Sequence, residues 1–410
     1  MEISRRSLLN TVATGAAVSA LPIGRARAQA KPVFKIGVMN DQSGPYRDTG
    51  GLTSVACAKL AVAEFASLMQ GYTVEVISAD HQNKPDVGAG IARQWYDQDG
   101  VDLVLDVPNS GVALAVAGVA KEKNKAYVNS GAASSDITGA QCSPNTVHWT
   151  YDTWMLAQST GGATVKAGGD TWYFITADYA FGKKLESDTT ALIKAAKGSV
   201  KGSSTYPFPG TTDFSSFLLQ AQSSGAKVLG LANAGGDTIN SIKQAKEFGL
   251  TMDIAALLMF ISDVHALGLD VAGGLHLTES FYWDLNDRTR AFTKRILPST
   301  PKNYPNMDHA GCYAGSLHFM KALNSIGPAA AKASGRAIID AMKALPTDDD
   351  CFGKGSIRAD GRGMFNSYLF QVKKPAESKG PWDYYKLIQT SEPAQAWRPL
   401  ADGGCAFIKS

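Results

Sequence analysis

Apolar positions along the chain follow two alternating rhythms. Short runs rich in β-branched and aromatic residues occupy 34–39, 72–78, 101–106 and 126–129, and the stretches between them are helical in pattern. Between the first two runs Ala58, Val62, Phe65 and Met69 recur at spacings of four, three and four, the stripe of a helix laid on a sheet. Strand, helix, strand in that order predicts parallel pairing, because a helical crossover returns the chain to the same end of the sheet. The alternation resumes at 172–176, 227–231, 254–258 and 275–278, with helical patterns near 182–196, 214–223 and 238–248. Two α/β units are therefore predicted.

The last third differs. Helical stretches near 288–296, 309–323 and 336–345 have no β-rich run between them, so they cannot build a third sheet and are expected to pack back on the first unit. A strand pair is expected at 355–358 and 367–372, around the turn Asp360-Gly361-Arg362-Gly363. The chain then crosses between units near 148–155, 279–285 and 350–357. This gives lobe 1 from 31–150 plus 282–352, and lobe 2 with the hinge and C-terminal segment from 151–281 plus 353–410. Several crossings make a hinge of restricted motion.

Composition narrows the class. A chain of 410 residues, 44% apolar and 19% charged, is neither disordered nor a disulfide scaffold, and has room for two or three domains. Residues 1–30 hold four of the 40 basic residues and one of the 37 acidic ones, which leaves 36 of each. So balanced a body has no footprint for nucleic acid and no polybasic patch for an anionic membrane. Residues 1–30 read as a cleavable secretory signal of twin-arginine type: Arg5-Arg6, an uncharged apolar stretch over 8–23, then Ala28-Gln29-Ala30. Asn10, Thr11 and Ser19 dilute that stretch below the roughly 20 apolar residues a membrane span needs, so no direct membrane insertion is expected. The expected location is the periplasm.

An oxidising compartment favours a disulfide. Cys405 is best placed to pin a terminus, with Cys142 as its first candidate partner and Cys351 as its second; Cys57, inside an apolar helical pattern, reads as a buried thiol. The five cysteines form no CxxC, the six histidines show no metal-ligand pairing, and HExxH, Walker A and GxSxG motifs are missing. Neither a metal, a cofactor nor an enzymatic activity is expected.

In a parallel sheet the ligand crevice lies beyond the carboxyl ends of the strands, so the loops after each strand carry the candidate chemistry. In the first unit they include Ser43 and Tyr46, Asn109-Ser110, and Ala132-Ala133-Ser134: small, polar, glycine-containing segments whose backbone N–H groups and hydroxyls can seat a carboxylate without a full positive charge. The second unit offers Tyr179, Phe181, Asn233 and Asp263, and its crossing adds Trp283. The rings Tyr46, Tyr179, Phe181, Tyr282 and Trp283 favour an aromatic acid as guest.

The segment Lys35-Ile36-Gly37-Val38 leading to Ser43-Gly44-Pro45, the loop Ser130-Gly131-Ala132-Ala133-Ser134, and Asp178-Tyr179-Ala180-Phe181-Gly182 stand in the order of a known family. In these the chain resembles the periplasmic solute-binding receptors of ABC importers, of the leucine/isoleucine/valine-binding type. The resemblance implies two Rossmann-like lobes with parallel sheets, joined by a three-segment hinge, that close on a ligand without altering it. It implies that Ser110, Ala132 and Ser134 hold the ligand's carboxylate and that the aromatic Phe181, before Gly182, covers it. An acid of the second lobe, Asp263, Asp237 or Asp284, would pair with an amino group. A monomer that delivers a small carboxylate to an inner-membrane ABC permease is expected; an amide or urea receptor is the alternative, and an exported enzyme the more distant one.

Overall fold

A computed structural model describes residues 31–301 and 303–408; the signal expected at 1–30 lies outside them. The first lobe is built on the strands β1 (Val33–Asn40), β2 (Thr73–Asp80), β3 (Leu103–Asp106), β4 (Ala126–Asn129) and β5 (Thr146–His148). All pair in parallel, in the order β2-β1-β3-β4-β5. Every residue of β3 and β4 is buried, the continuous apolar run of a parallel strand covered on both faces. The stripe read from Ala58 to Phe65 lies on the helix Gly51–Phe65, which packs on the sheet and on the late helix Met307–Ile326. The late helices thus return to the first sheet. Among the described residues, Gly51–Leu68 alone has the length and apolar content of a membrane span; one face of it is buried by these contacts, while Leu52 and Leu68 are exposed.

The second lobe carries β6 (Thr171–Ala177), β7 (Ser199–Tyr206), β8 (Val228–Ala232) and β9 (Asp253–Ala256), parallel in the order β7-β6-β8-β9. The polar strand β7, Ser-Val-Lys-Gly-Ser-Ser-Thr-Tyr, has no apolar run to signal it, because it lies at the sheet edge with much of its length exposed. The run at 275–278 departs from the parallel pattern expected of it: β10 (His276–Glu279) joins an antiparallel sheet. The hairpin expected between 355–358 and 367–372 does not form either. Instead β11 (Thr347–Asp349), β12 (Gly353–Ile357) and β13 (Gly363–Met364) make one small sheet, while β14 (Ser367–Val372) lies between β10 and β15 (Tyr385–Ser391).

The physical reason is Arg362. Its fully buried guanidinium donates to the carbonyls of Thr150 (2.9 Å) and Tyr151 (3.4 Å) and lies 4.2 Å from the Trp397 ring centre. That fastens the Asp360–Gly363 turn to the first crossing, so the chain passes to the second lobe only afterwards, at 365–366 between β13 and β14. The C-terminal segment then comes back. Arg398 donates to the Ser135 carbonyl (2.9 Å), and Cys142 and Cys405 form a disulfide with Cα atoms 5.5 Å apart. Residues 398–405 therefore attach to the first lobe, on the other side of the division read at 353. Cys57, Cys312 and Cys351 are buried thiols.

Candidate ligand-binding site

Strand β1 lies between β2 and β3, and β6 between β7 and β8, so chain direction switches sides at the middle of each sheet. Loops leaving the carboxyl ends diverge at such points and leave a crevice. The two crevices face each other. From the first lobe come Tyr46 and Thr49 after β1, Pro108 after β3, and Gly131 and Ala133 after β4. The second lobe contributes Tyr179 and Phe181 after β6, Ala234 after β8, and Leu258 and Phe260 after β9; Tyr151 comes from the first crossing. They leave a gap of only about 10 Å³, scarcely room for one water, so a guest enters only if the two walls move apart.

None of these lining residues is ionisable at neutral pH. Across the lobes the Tyr46 and Tyr179 hydroxyls lie 2.6 Å apart, and burial pushes both phenols above their ordinary range, so both stay neutral. Phe208 stacks on each ring, at 5.3 Å from Tyr46 and 4.5 Å from Tyr179. Beside them the Gly236 N–H donates to the Pro45 carbonyl (3.1 Å), a backbone bond between lobes. Gly235 has φ +56°, and a Cβ there would stand 2.6 Å from that same carbonyl oxygen, so only glycine permits this approach.

The first-lobe loops are held by their own side chains. Asp41 accepts from the N–H groups of Ser43, Gly44 and Tyr46 (3.2, 2.6 and 2.8 Å). Asn129 both accepts from Ala132 N–H (2.9 Å) and donates to Ala132 C=O (2.7 Å). Tyr151 donates its hydroxyl to the Gly131 carbonyl (2.5 Å). With Ala132 N–H taken by Asn129 and Ser134 N–H by Ser110 Oγ (3.1 Å), the Gly131 and Ala133 N–H groups of that turn have no partner among the described residues.

Of the residues read from sequence, Tyr46, Tyr179 and Phe181 meet in this space. The others are placed elsewhere. Ser43 is exposed and donates to Asp80 (2.7 Å). Asn109 caps the helix Ser110–Glu122 by accepting from Gly111 and Val112 N–H, and Ser134 likewise caps the turn after it. Ser110 and Ala132 are tied up in the bonds just given. Asn233 is buried against Thr238 (2.7 Å) and Ser241 (3.1 Å). Asp263 caps its own helix by accepting from Phe260 N–H (3.0 Å), and burial pushes its carboxyl up to about 7. It borders a separate gap at the cleft mouth, shared with Asp237. Trp283 donates to the Trp382 carbonyl (2.7 Å) and packs on Tyr304.

Pro108, Ala234 and Phe260 lie in the strand-end loops that the sequence marks as candidates, whereas Thr49, Tyr151 and Leu258 carry no such mark. Leu258 ends the β-rich run at 254–258, just before its loop.

A small neutral space between the carboxyl ends of two facing parallel sheets is a receptor's geometry, and the comparisons agree. The family pattern described as periplasmic binding protein matches residues 33–380. The chain belongs to that family. No curated protein matches it. Among solved structures, a periplasmic binding protein from Burkholderia mallei is 47% identical over 93% of this chain and 100% of its own, with a TM-score of 0.88. A branched chain amino acid ABC transporter periplasmic ligand-binding protein from Burkholderia xenovorans is 37% identical over 91% of this chain and 99% of its own, with a TM-score of 0.79. A solute binding protein of an ABC transporter from Rhodopseudomonas palustris, in complex with benzoate, shares the fold at 21% identity, 88% and 97% coverage, and a TM-score of 0.77. As a periplasmic binding protein of the ABC-transporter type, the chain has the role of binding a solute between its lobes.

Proposed function

We propose that this periplasmic binding protein takes a small aromatic carboxylate and presents it, enclosed, to an ABC permease. The observation that carries the reading is the lining: rings from both lobes with no acidic side chain among them to neutralise an ammonium group. Once the lobes part, a flat ring can enter between Tyr179, Phe181 and Phe260, while the Ala133 N–H and the tyrosine hydroxyls offer neutral donors to a carboxylate. The fold carries such guests elsewhere, benzoate and 4-hydroxybenzoate in proteins of R. palustris. Residues 1–30 act as the export signal, the protein works as a monomer, and the ligand leaves unchanged.

Binding and closure are one equilibrium. A ligand held by Ala133 on one lobe and Tyr179 on the other favours the closed state through contacts the open state lacks. A micromolar dissociation constant corresponds to about 8 kcal/mol, within reach of a ring enclosed by aromatic residues and a few buried hydrogen bonds. A branched-chain amino acid is the second reading, favoured by the 37% identical relative. It needs an anionic partner for its ammonium, and Asp237 and Asp263 stand at the cleft mouth instead. Calorimetry with benzoate, 4-hydroxybenzoate, leucine, valine and a simple amide decides between them. Heat of binding and a raised melting temperature with the benzoates are expected; binding of leucine or valine alone overturns the proposal, and recovery of a chemically altered acid would make the protein an enzyme.

A further inference from the structure

Behind the pocket floor two carboxyl groups meet in the dry interior. Asp106 ends β3 and Asp308 stands in the first turn of the helix Met307–Ile326; neither has any exposed surface. One oxygen from each, with Cys312 Sγ, lies within 4.8 Å of the others. A Cβ on Gly50 would stand 3.4 Å from Asp106 Oδ2, 3.4 Å from Asp308 Oδ2 and 3.6 Å from Ser54 Oγ, so three oxygens converge on that point from three elements. On the opposite side a Cβ on Gly131, a pocket residue, would stand 2.7 Å from Asp106 Oδ1 and 2.9 Å from Asp308 Oδ2.

The unmet demand for a partner is large. Both oxygens of Asp308, Ser54 Oγ and Asn40 Oδ1 are buried without a hydrogen-bond partner. Asn40 Nδ2 donates to Asp106 Oδ2 (2.9 Å), which places the amide against the first of the two acids. Among the described residues no lysine, arginine or histidine forms an ion pair with either acid. A shared proton would join Asp106 to Asp308, with the Ser130 and Ser54 hydroxyls in reach of the two acids, and would still leave Asn40 Oδ1 unmet; a cation serves several oxygens at once.

We propose that Asp106 and Asp308, with Ser54 Oγ and Asn40 Oδ1, hold one calcium-type divalent cation. Two carboxylates match its charge, and hard oxygen donors in irregular array match the coordination calcium accepts, whereas magnesium demands a near-ideal octahedron and keeps several waters. The Cys312 thiol, bonded to Ser130 Oγ at 3.1 Å and pushed up by burial, adds no hard ligand. The site would fix the turn at Gly50 beside Thr49 and the floor at Gly131. On the proposed reading of the pocket it would also exchange a repulsive pair of charges behind an anionic guest for an attractive ion.

The test needs no organic ligand. The full chain, dialysed against chelator, is titrated with calcium chloride and with magnesium chloride while bound metal and melting temperature are followed. One calcium per chain and a rise of several degrees are expected, with a much smaller response to magnesium. Asp308→Asn should abolish the response. Should that variant fail to fold, Ser54→Ala should keep the fold and weaken calcium binding roughly tenfold. No stoichiometric metal and an unmoved melting temperature overturn the site and leave a shared proton between the acids. Calcium binding without any affinity for benzoates would retain the site and sink the aromatic-acid reading alone.

Discussion

The two walls of the pocket are built by different chemistry. The first lobe presents, beside the one ring of Tyr46, backbone and small side chains, Gly131, Ala133, Pro108 and Thr49, in loops tied down by Asp41, Asn109 and Asn129. The second presents rings, Tyr179, Phe181 and Phe260, which rest on other rings such as Phe208 and Tyr151. A backbone donor is useful only if its direction is fixed, and buried side-chain bonds to the chain fix it. An apolar ring needs area and shape, which stacking supplies with less directional demand. The first lobe is thus the oriented half of the site and the second the shaped half.

The largest expected effect lies at the joint between them. Glu279, buried at the second crossing, accepts from Tyr385 on the second-lobe side (2.8 Å) and from Met307 N–H on the helix of the first lobe (3.3 Å). Burial pushes its carboxyl up to about 8. The folded chain therefore holds a proton that the unfolded chain releases near pH 4.5, so stability falls as pH rises from about 4.5 to about 8. The size is roughly 4 kcal/mol for this group. Urea midpoints of wild type and Glu279→Gln across that window should diverge, the variant losing less; parallel curves would show that the joint carries its charge without cost.

The second test aims at the oriented half. Asn129→Ala would strip a partner from both backbone groups of Ala132 in a buried turn, which should lower stability by about 2 to 4 kcal/mol in urea unfolding. Ligand affinity should fall as well, because Ala133 loses its frame. Unchanged affinity in a destabilised protein would mean that the turn merely supports the lobe.

What the sequence disclosed divides along the same line. The apolar runs of β1, β3, β4, β6 and β8 were plain, because strands covered on both faces must be apolar throughout. Polar β7 and the three-residue β5 offered no such run, and the direction of β10 depends on β14, far along the chain. In the site, Tyr46, Tyr179 and Phe181 were legible as large rings in strand-end loops. Asn109, Ser134 and Asp263 cap their own chain in this structure, because short polar side chains at such places prefer their own backbone, and sequence alone does not distinguish a cap from a contact. Pairing of Asp106 with Asp308 had no local signature at all.

Removing a ring probes the shaped half. Tyr179 is half-buried, stacked on Phe208 and bonded to Tyr46, so Tyr179→Ala should lower stability by about 1 to 3 kcal/mol without unfolding the protein. It should cost a bound aromatic acid about 2 to 3 kcal/mol, roughly 30- to 150-fold in Kd by calorimetry. A loss below threefold would place the guest away from this wall and break the contrast between the lobes.

The smallest expected effect is at Ser43. Its hydroxyl makes one exposed bond to Asp80, while the same residue's N–H is the part that Asp41 uses to shape the Tyr46 loop. Ser43→Ala deletes the hydroxyl and keeps the N–H. Stability should stay within about 0.5 kcal/mol and ligand Kd within about twofold. If Kd rises tenfold instead, the hydroxyl reaches the guest in the liganded form, and the oriented half of the site extends to a side chain that this structure turns outward.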